Sequence, residues 1–455
     1  MPEMEGEEKD VLELVQLQYD DLILLSQSSF SPSHSPSSSP KLSYPAREES
    51  ERLDAVFKTV METLGPEGPG LIAITGVPNA GAMRRRLLPL ARKLALLNNK
   101  DRHCILKEHG LGSDFSLKDL DRSVSSFVFP LRYQQDFVPK LMHIGSKPGD
   151  SEDPDIYSLE QQPHETGNEF KDLGNAFKEL GFCMVVIGLL FARICDKGIG
   201  GGELEESILH SGTAKGRLIH YHSILDNFVL KEAARSRGDK KQRNRSGQIL
   251  VEDSNVSSLQ YSVISSQILP SNLWQQWHYD YGLFTVLTTP MFLSQCQNPE
   301  NNDDSYEKLD SQSECSAPNG HTYLQIHDTV MHRTLMVRAP PNSFIIQVGE
   351  SAEILSRGKL TSTIHAVSRV RERVDISREN FVVFLQPSWH KTFSELPERD
   401  GASWDKSIGR RSCTCDIQRK VPPLLTRLKD GMTFAEFSKE TTKQYYGSNG
   451  WQSGK

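Results

Sequence analysis

Short runs of β-branched and aromatic residues, separated by turn residues, recur through the second half of the chain. Runs of four to six residues are typical of strands. They cover 323–326, 334–337, 343–348, 361–366 and 381–385, and further strands are predicted at 217–222, within 249–268 and at 277–287. About eight strands in two sheets form a jelly roll, or double-stranded β-helix, whose interior holds side chains and one ligand. The pattern therefore predicts a mainly β core with flanking helices.

Helical periodicity dominates the first half. Apolar residues recur at three- and four-residue steps from Leu53 to Leu64 and end at a Gly-Pro pair. A strand is expected at 71–77, and a helix at 82–97 with the three arginines at 84–86 on a solvated face. A longer helix is expected at 169–195. Its most apolar part, 182–191, is shorter than the roughly 20 residues that span a bilayer, so we predict a buried helix.

These patterns divide the chain into four regions. Residues 1–50 are predicted to hold a short acidic helix at 11–25 and a disordered linker at 28–40, whose Ser- and Pro-rich sequence has too few apolar residues to offset the entropy of ordering. Residues 51–205 are predicted as a mostly helical N-terminal region, 206–430 as the jelly-roll domain, and 431–455 as a C-terminal helix and tail. Two polar insertions, at 235–245 and 297–319, are expected to be loops.

Charge and cysteine usage narrow the function classes. The chain has 455 residues and a net charge of -7, which argues against broad binding of nucleic acid or an anionic membrane. The basic stretch 235–245 has no aromatic residue for base stacking; a solvated loop is favoured there over a nuclear import signal or an RNA contact. Seven scattered cysteines are typical of reduced thiols, and Cys413-Thr414-Cys415 has no second pair at zinc spacing. We expect a cytoplasmic monomer, with a nuclear location as the alternative.

The candidate chemistry begins at His278 and Asp280. Residues two apart in a strand project to the same side, so these two side chains can hold one ion. A chance His-x-Asp is also expected among 14 histidines, most of which would be surface or core residues. An apolar run at 283–287 favours a buried strand, and His365 follows about 85 residues later. Two imidazoles and one carboxylate form the facial triad that holds Fe(II) and leaves positions open for a co-substrate and O2.

Several segments carry a family resemblance, in order along the chain. They are Leu71–Pro78, His278–Gly282, Leu324–Ile326, Pro340–Glu350, Ile354–Lys359 and Arg378–Pro387. Together they are similar to the plant-type 2-oxoglutarate- and Fe(II)-dependent dioxygenases, the isopenicillin N synthase-like family, over roughly residues 51–445. The match is partial at Ile74-Thr75-Gly76, where family members often have Asn-His-Gly.

The resemblance implies Fe(II) held by His278, Asp280 and His365, and 2-oxoglutarate as co-substrate. It assigns the distal carboxylate of 2-oxoglutarate to Arg378, whose guanidinium offers a planar pair of donors. Tyr221 matches a family tyrosine near the co-substrate.

Three departures from the family pattern lie around this co-substrate site. Ile219 stands where the family has an asparagine, and Asn380 stands where the family has a serine or threonine. The thirteen-residue spacing from His365 to Arg378 is longer than is usual in the family. Asn380 is kept as a candidate contact because its amide can donate a hydrogen bond.

The implied activity is oxidation, by hydroxylation or desaturation, of an unidentified small organic substrate, with O2 consumed and succinate and CO2 formed. Two alternatives remain open: a catalytically degenerate barrel that acts as a binding or scaffold protein, and an oxidase of the same family that does not use 2-oxoglutarate. Ile219 and Asn380 favour these alternatives. The complete triad and a charged Arg378 in an apolar barrel favour the dioxygenase.

Overall fold

The computed structural model describes residues 10–27, 44–114, 122–134, 169–231, 271–295, 312–328, 331–371, 373–394, 417 and 421–446. The predicted linker at 28–40, the basic insertion at 235–245, the strand region within 249–268, residues 297–311 of the acidic insertion and the Cys413-Thr414-Cys415 segment lie outside the described residues.

Besides a further helical segment at 224–231 and a 3-10 helix at Pro318–Gly320, nine α-helices are assigned within the described ranges. They are α1 (Tyr19–Ser26), α2 (Tyr44–Leu64), α3 (Ala80–Leu96), α4 (Asn99–Glu108), α5 (Leu173–Ile199), α6 (Glu203–Ser211), α7 (Glu350–Leu355), α8 (Leu424–Arg427) and α9 (Phe434–Tyr446).

Fifteen strands are assigned in the same part of the chain. They are β1 (Val11–Glu13), β2 (Gln16–Gln18), β3 (Leu71–Thr75), β4 (Gly112–Ser113), β5 (Val124–Arg132), β6 (Thr213–Tyr221), β7 (Leu273–His278), β8 (Phe284–Thr288), β9 (Met291–Gln295), β10 (Gln312–Cys315), β11 (Leu324–Asp328), β12 (Arg333–Arg338), β13 (Phe344–Val348), β14 (His365–Ser368) and β15 (Ser377–Leu385).

The strands form two sheets. The minor sheet has the order β1-β12-β11-β14-β7, and the major sheet has the order β2-β3-β13-β8-β15-β6-β5-β4, with β9 pairing both β15 and β10. Pairing is antiparallel except where β1 joins β12 and β2 joins β3. The chain is thus mostly sheet with helices, as the sequence predicted.

Two apolar cores follow from the alternation of side chains along the strands. One core joins residues of both sheets, such as Ile326 of the minor sheet with Leu287 and Val382 of the major sheet. The other joins alternate residues of the major sheet, such as Phe381, to the helices, above all α3 and α5. The major sheet therefore separates an inter-sheet interior from a helix-covered outer face.

The helical predictions are confirmed for the long segments. The stripe from Leu53 to Leu64 lies in α2, and the helix expected at 82–97 is α3. The apolar segment 182–191 lies in α5 and belongs to the core between the helices and the major sheet. Within the described ranges, no helix has the length and apolar content needed to cross a membrane.

The helix predicted at 11–25 is wrong over its first half. Residues 11–13 and 16–18 are strands, and the helix begins only at Tyr19. Hydrogen-bonded pairing with β12 and β3 outweighs the local helical pattern, since it buries Leu14 and Leu17.

The long loop predicted at 297–319 is also wrong at its end. Residues 312–315 form β10, which pairs with β9.

The solvated face predicted for the three arginines is wrong for Arg84, which is 7% exposed. Its guanidinium donates to the carbonyl oxygens of Thr289 and Pro290 and lies 2.7 Å from Glu314 of β10, so it ties α3 to this hairpin.

Candidate metal and co-substrate site

The three predicted metal ligands meet at one end of the minor sheet. His278 is the last residue of β7, and His365, the first residue of β14, is directly opposite it. Asp280 was expected on the same strand as His278, but β7 ends at His278 and Asp280 lies in the following turn. Its carboxylate oxygens lie 3.7 Å from His278 Nε2 and 3.9 Å from His365 Nε2. One nitrogen or oxygen from each side chain can therefore face a single ion.

Both imidazoles present the same nitrogen to this point. His278 Nδ1 lies 2.8 Å from the Gln276 carbonyl oxygen, and His365 Nδ1 lies 3.0 Å from that of Thr363. A carbonyl oxygen only accepts, so Nδ1 of His278 carries the proton and its Nε2 keeps a lone pair, while His365 Nδ1 also lies 2.6 Å from the side-chain amide nitrogen of Gln347. Burial, together with the nearby His365, lowers the pKa of His278 to about 4, which keeps that ring neutral. Neutral imidazoles oriented by backbone carbonyls are the form that binds a metal.

The Asp280 carboxylate is oriented from the next strand. Thr285 Oγ1, in β8, donates to Asp280 Oδ2 at 2.6 Å. The Asp280 carbonyl accepts the Glu350 N–H at 2.8 Å, which joins the metal turn to the start of α7. Gly349 allows this approach, because a Cβ there would lie 2.3 Å from the Gly282 carbonyl oxygen.

The C-terminal helices hold the same turn from the other side. Arg427 of α8 forms an ion pair with Glu350 in which both side chains are at most 1% exposed. Its guanidinium also donates to Thr441 and lies over the Tyr445 ring, both in α9. The Tyr279 N–H donates to the Tyr445 hydroxyl. Sequence reasoning missed these contacts, because no local pattern pairs residues this far apart in the chain.

Arg378 lies near the start of β15, on the side of the major sheet that carries Tyr221. It is 2% exposed and sits directly opposite Tyr221, with its guanidinium 5.0 Å from the centre of that ring. Nε donates to the Thr322 carbonyl at 3.0 Å, whereas Nη1 has no hydrogen-bond partner among the described residues. Burial lowers the pKa of Arg378, which nevertheless stays a cation at neutral pH. A buried cation with an unused donor is suited to binding an anion.

Tyr221 connects Arg378 to the metal ligands. Its hydroxyl donates to Gln275 Oε1 at 3.0 Å, and Gln275 Nε2 donates to His278 Nε2 at 2.9 Å. Gln275 of β7 was not among the predicted site residues. The Gln275 amide is hydrogen-bonded to His278 Nε2, the nitrogen that would bind a metal. Gln275 would therefore have to release this nitrogen when a metal binds.

Asn380, predicted as a co-substrate contact through its amide, is held within the sheet by its side-chain oxygen. It lies directly opposite Ile219, and its Oδ1 accepts hydrogen bonds from Thr288 Oγ1 at 2.6 Å and from the Phe381 N–H. The side-chain oxygen is thus used within the sheet, and only the amide nitrogen could serve a ligand.

These residues fit both implied groups. Two imidazoles and a carboxylate are the donor set of the facial triad that holds Fe(II), although the same ligand types also bind Zn²⁺. The unpaired Nη1 of Arg378 suits one end of a dicarboxylate.

Comparison with known proteins gives a likeness in structure only. No protein-family profile matches the chain, and no curated protein matches it. The structure is similar to that of a full-length Neurospora crassa protein in complex with alpha-KG and 5-formyluracil, at 13% identity and a TM-score of 0.49, over 98% of this chain and 99% of that one. It is also similar to JOX2 in complex with 2OG, Fe and JA, at 14% identity and a TM-score of 0.44, over 95% and 85% of the two chains.

A third similar structure is the rice dioxygenase for auxin oxidation, at 14% identity and a TM-score of 0.41, over 84% of this chain and 94% of that one. At these identities and scores the likeness does not establish a shared activity. The narrower resemblance to the plant-type, isopenicillin N synthase-like enzymes stays a prediction.

Proposed function

We propose that the protein is a non-haem Fe(II)- and 2-oxoglutarate-dependent dioxygenase that oxidises a small organic substrate. The observation that carries this proposal is the convergence of His278, Asp280 and His365 and their connection, through Gln275 and Tyr221, to the buried Arg378. A metal site with no nearby cation would fit many reactions. A metal site joined to a buried anion site fits a co-substrate that is both a chelator and a dicarboxylate.

The proposed fold is a jelly roll. The order β13-β8-β15-β6 in one sheet and β12-β11-β14-β7 in the other supports it, because the chain passes back and forth between the two sheets, apart from the β9–β10 and β11–β12 hairpins. In this fold the metal ligands lie at one end of the barrel, at the termini of β7 and β14.

Each residue has a defined task in the proposed reaction. His278, Asp280 and His365 hold Fe(II), which supplies O2 activation coupled to decarboxylation of 2-oxoglutarate. Arg378 holds the distal carboxylate of 2-oxoglutarate, and the Tyr221 ring supports the guanidinium. Thr285 keeps the Asp280 carboxylate turned toward the metal. The apolar residues between the sheets exclude water from the reacting atoms.

The unused donor on Arg378 favours this function over the two alternatives. An oxidase that does not bind 2-oxoglutarate, or a scaffold with no reaction, gives no chemical reason to bury an arginine without a full set of acceptors. Asn380 favours the alternatives only weakly, because its oxygen has a structural partner in Thr288.

The test is an anaerobic titration of the full chain with Fe(II) and then 2-oxoglutarate, followed by absorption spectroscopy. We expect a metal-to-ligand charge-transfer band in the wild type, and succinate on admission of air. His365→Ala should lose the band and the bound iron. His327→Ala is the matched control, because His327 is also buried in the minor sheet but does not face the triad, and it should keep the band.

The outcomes separate the three functions. Iron binding with no band on addition of 2-oxoglutarate would favour the oxidase. No stoichiometric iron in the folded wild type would favour the scaffold and would overturn the proposal.

A further inference from the structure

A second group of side chains that could hold a metal ion lies on the other face of β6 and β15, the strands that carry Tyr221 and Arg378. His220 in β6, His222 just after it, and Asp226 are all fully buried, and one ligand atom from each lies within 4.8 Å of the others. Side chains alternate along a strand, so Tyr221 points into the barrel while His220 points to the helix-covered outer face. Glu379 of β15, directly opposite His220, points the same way.

Each imidazole uses one nitrogen in a short contact and leaves the other without a hydrogen bond in the described part of the chain. His220 Nδ1 lies 2.7 Å from the Glu379 carboxylate, so it donates a proton there. His222 Nε2 lies 2.8 Å from Ser125 Oγ. The remaining nitrogens, His220 Nε2 and His222 Nδ1, have no hydrogen-bond partner among the described residues. An imidazole that donates one N–H to a carboxylate and presents its bare nitrogen inward has the orientation of a metal ligand.

Asp226 completes the group. Its Oδ2 lies 3.5 Å from His220 Nε2 and accepts the Ser223 N–H at 2.8 Å. Its other oxygen accepts two hydrogen bonds from Arg92 of α3, at 2.7 and 2.9 Å. The carboxylate is therefore fixed in place, with one oxygen turned toward both histidines.

We propose that His220, His222 and Asp226 bind a second divalent metal ion, a structural Zn²⁺, that fastens α3 and the segment after β6 to the outer face of the major sheet. Two imidazoles and one carboxylate are ordinary zinc ligands, and full burial suits an ion bound during folding. This site is separate from the candidate iron and co-substrate site, whose Tyr221 and Arg378 lie on the opposite face of β6 and β15.

A proton satisfies this group less well than a metal ion does. Although burial works to lower it, the carboxylates of Asp226 and Glu379 raise the pKa of His220, so one proton could be held between His220 and a carboxylate. That proton would leave His222 Nδ1 buried and unpaired. Burial, together with His220, lowers the pKa of His222 well below its usual value, so this ring stays neutral. One cation at the centre would satisfy all three side chains at once.

The test counts metal ions in the full-length protein after removal of metal with a chelator, reconstitution with Zn²⁺ and gel filtration, using mass spectrometry of the metal. Since zinc also binds facial triads, the starting variant is His278→Ala/Asp280→Ala, which lacks the iron site. We expect this variant to retain one Zn²⁺ per chain. Adding His222→Gln should remove that ion, whereas adding His210→Gln, at an exposed histidine, should leave it in place.

Co²⁺ provides a second readout, because its visible absorption reports a low-coordination nitrogen and oxygen site. Glu379→Gln, which keeps the shape of the side chain that orients His220, should weaken the Co²⁺ affinity roughly 10- to 100-fold. Zinc should also raise the melting temperature of His278→Ala/Asp280→Ala.

A folded His278→Ala/Asp280→Ala protein that takes up no ion would overturn the proposal and would leave a proton-sharing cluster in its place. Retention of the ion with unchanged affinity after His222→Gln would also overturn it. If His222→Gln does not fold, the ion count of the starting variant decides alone.

Discussion

Arg378→Ala tests whether the buried guanidinium binds the co-substrate. Hydrogen bonds to a charged group contribute about 1.5–3 kcal/mol each. Nη1 of Arg378 carries two N–H donors, so the loss of both hydrogen bonds to a carboxylate should cost about 3 kcal/mol or more. This corresponds to a roughly 150-fold weaker affinity for 2-oxoglutarate, at about 1.4 kcal/mol for each factor of ten. Iron affinity should stay the same, because Arg378 contacts none of the three metal ligands. The assay is the charge-transfer band, measured across an anaerobic titration with 2-oxoglutarate.

The protein offers a matched control in Arg369. This arginine is 6% exposed and lies 5.4 Å from the centre of the Trp274 ring, much as Arg378 lies over Tyr221, but it donates to the His222 carbonyl. Arg369→Ala should lower the melting temperature and leave the affinity for 2-oxoglutarate unchanged. Arg378→Lys should recover only part of the affinity, because an ammonium lacks the planar fork. Equal 2-oxoglutarate affinity in Arg378→Ala and wild type would refute the assignment.

Three further predictions follow from contacts around the site. Thr285→Val removes the hydrogen bond to Asp280 and should weaken Fe(II) binding roughly 10- to 100-fold in a metal titration, whereas unchanged affinity would mean that the carboxylate is held elsewhere. Arg427→Met leaves the Glu350 carboxylate buried and unpaired, so it should lower the free energy of unfolding, measured in urea, by about 3–5 kcal/mol. The double variant with Glu350→Met should recover much of this loss, and no recovery would contradict the pairing. Burial, together with His332, lowers the pKa of His327, so the unfolded chain protonates this imidazole more readily than the folded chain does. The free energy of unfolding should therefore fall as the pH drops below about 6.5. If His327→Gln shows the same dependence of stability on pH, another group is responsible.

Local patterns predicted the elements that depend on local chemistry. The apolar stripe of α2 and the β-branched run of β13 lie where the sequence indicates them. The pairings of β1 and β2 could not be predicted, because three-residue strands have no period of their own and their partners lie far along the chain. Arg84 was misplaced for a related reason: its acceptors lie in the turn before β9 and in β10, which the sequence alone does not bring to α3.

The residues of the candidate iron site were recognisable from their spacing and from the family resemblance. Their surroundings were not recognisable. Gln275, Thr285 and Arg427 belong to no sequence motif, and their contacts with the site exist only in the folded chain. His220-Tyr221-His222 carries the same two-residue spacing as His278-Tyr279-Asp280, and this was the available signal for the second cluster. Spacing shows which side chains share a face, but it does not show whether a neighbouring strand or helix fills the space between them.

The segment 11–18 supplies one strand to each sheet within eight residues. β1 covers the outer side of β12, and β2 covers the outer side of β3, so one short stretch masks the backbone hydrogen-bonding groups of two strands. A protein lacking these residues would present two uncovered strand edges side by side. Uncovered edges pair readily with other chains, so such a truncation should drive self-association well before it disturbs the metal ligands, which lie at the opposite end of the strand order in the minor sheet.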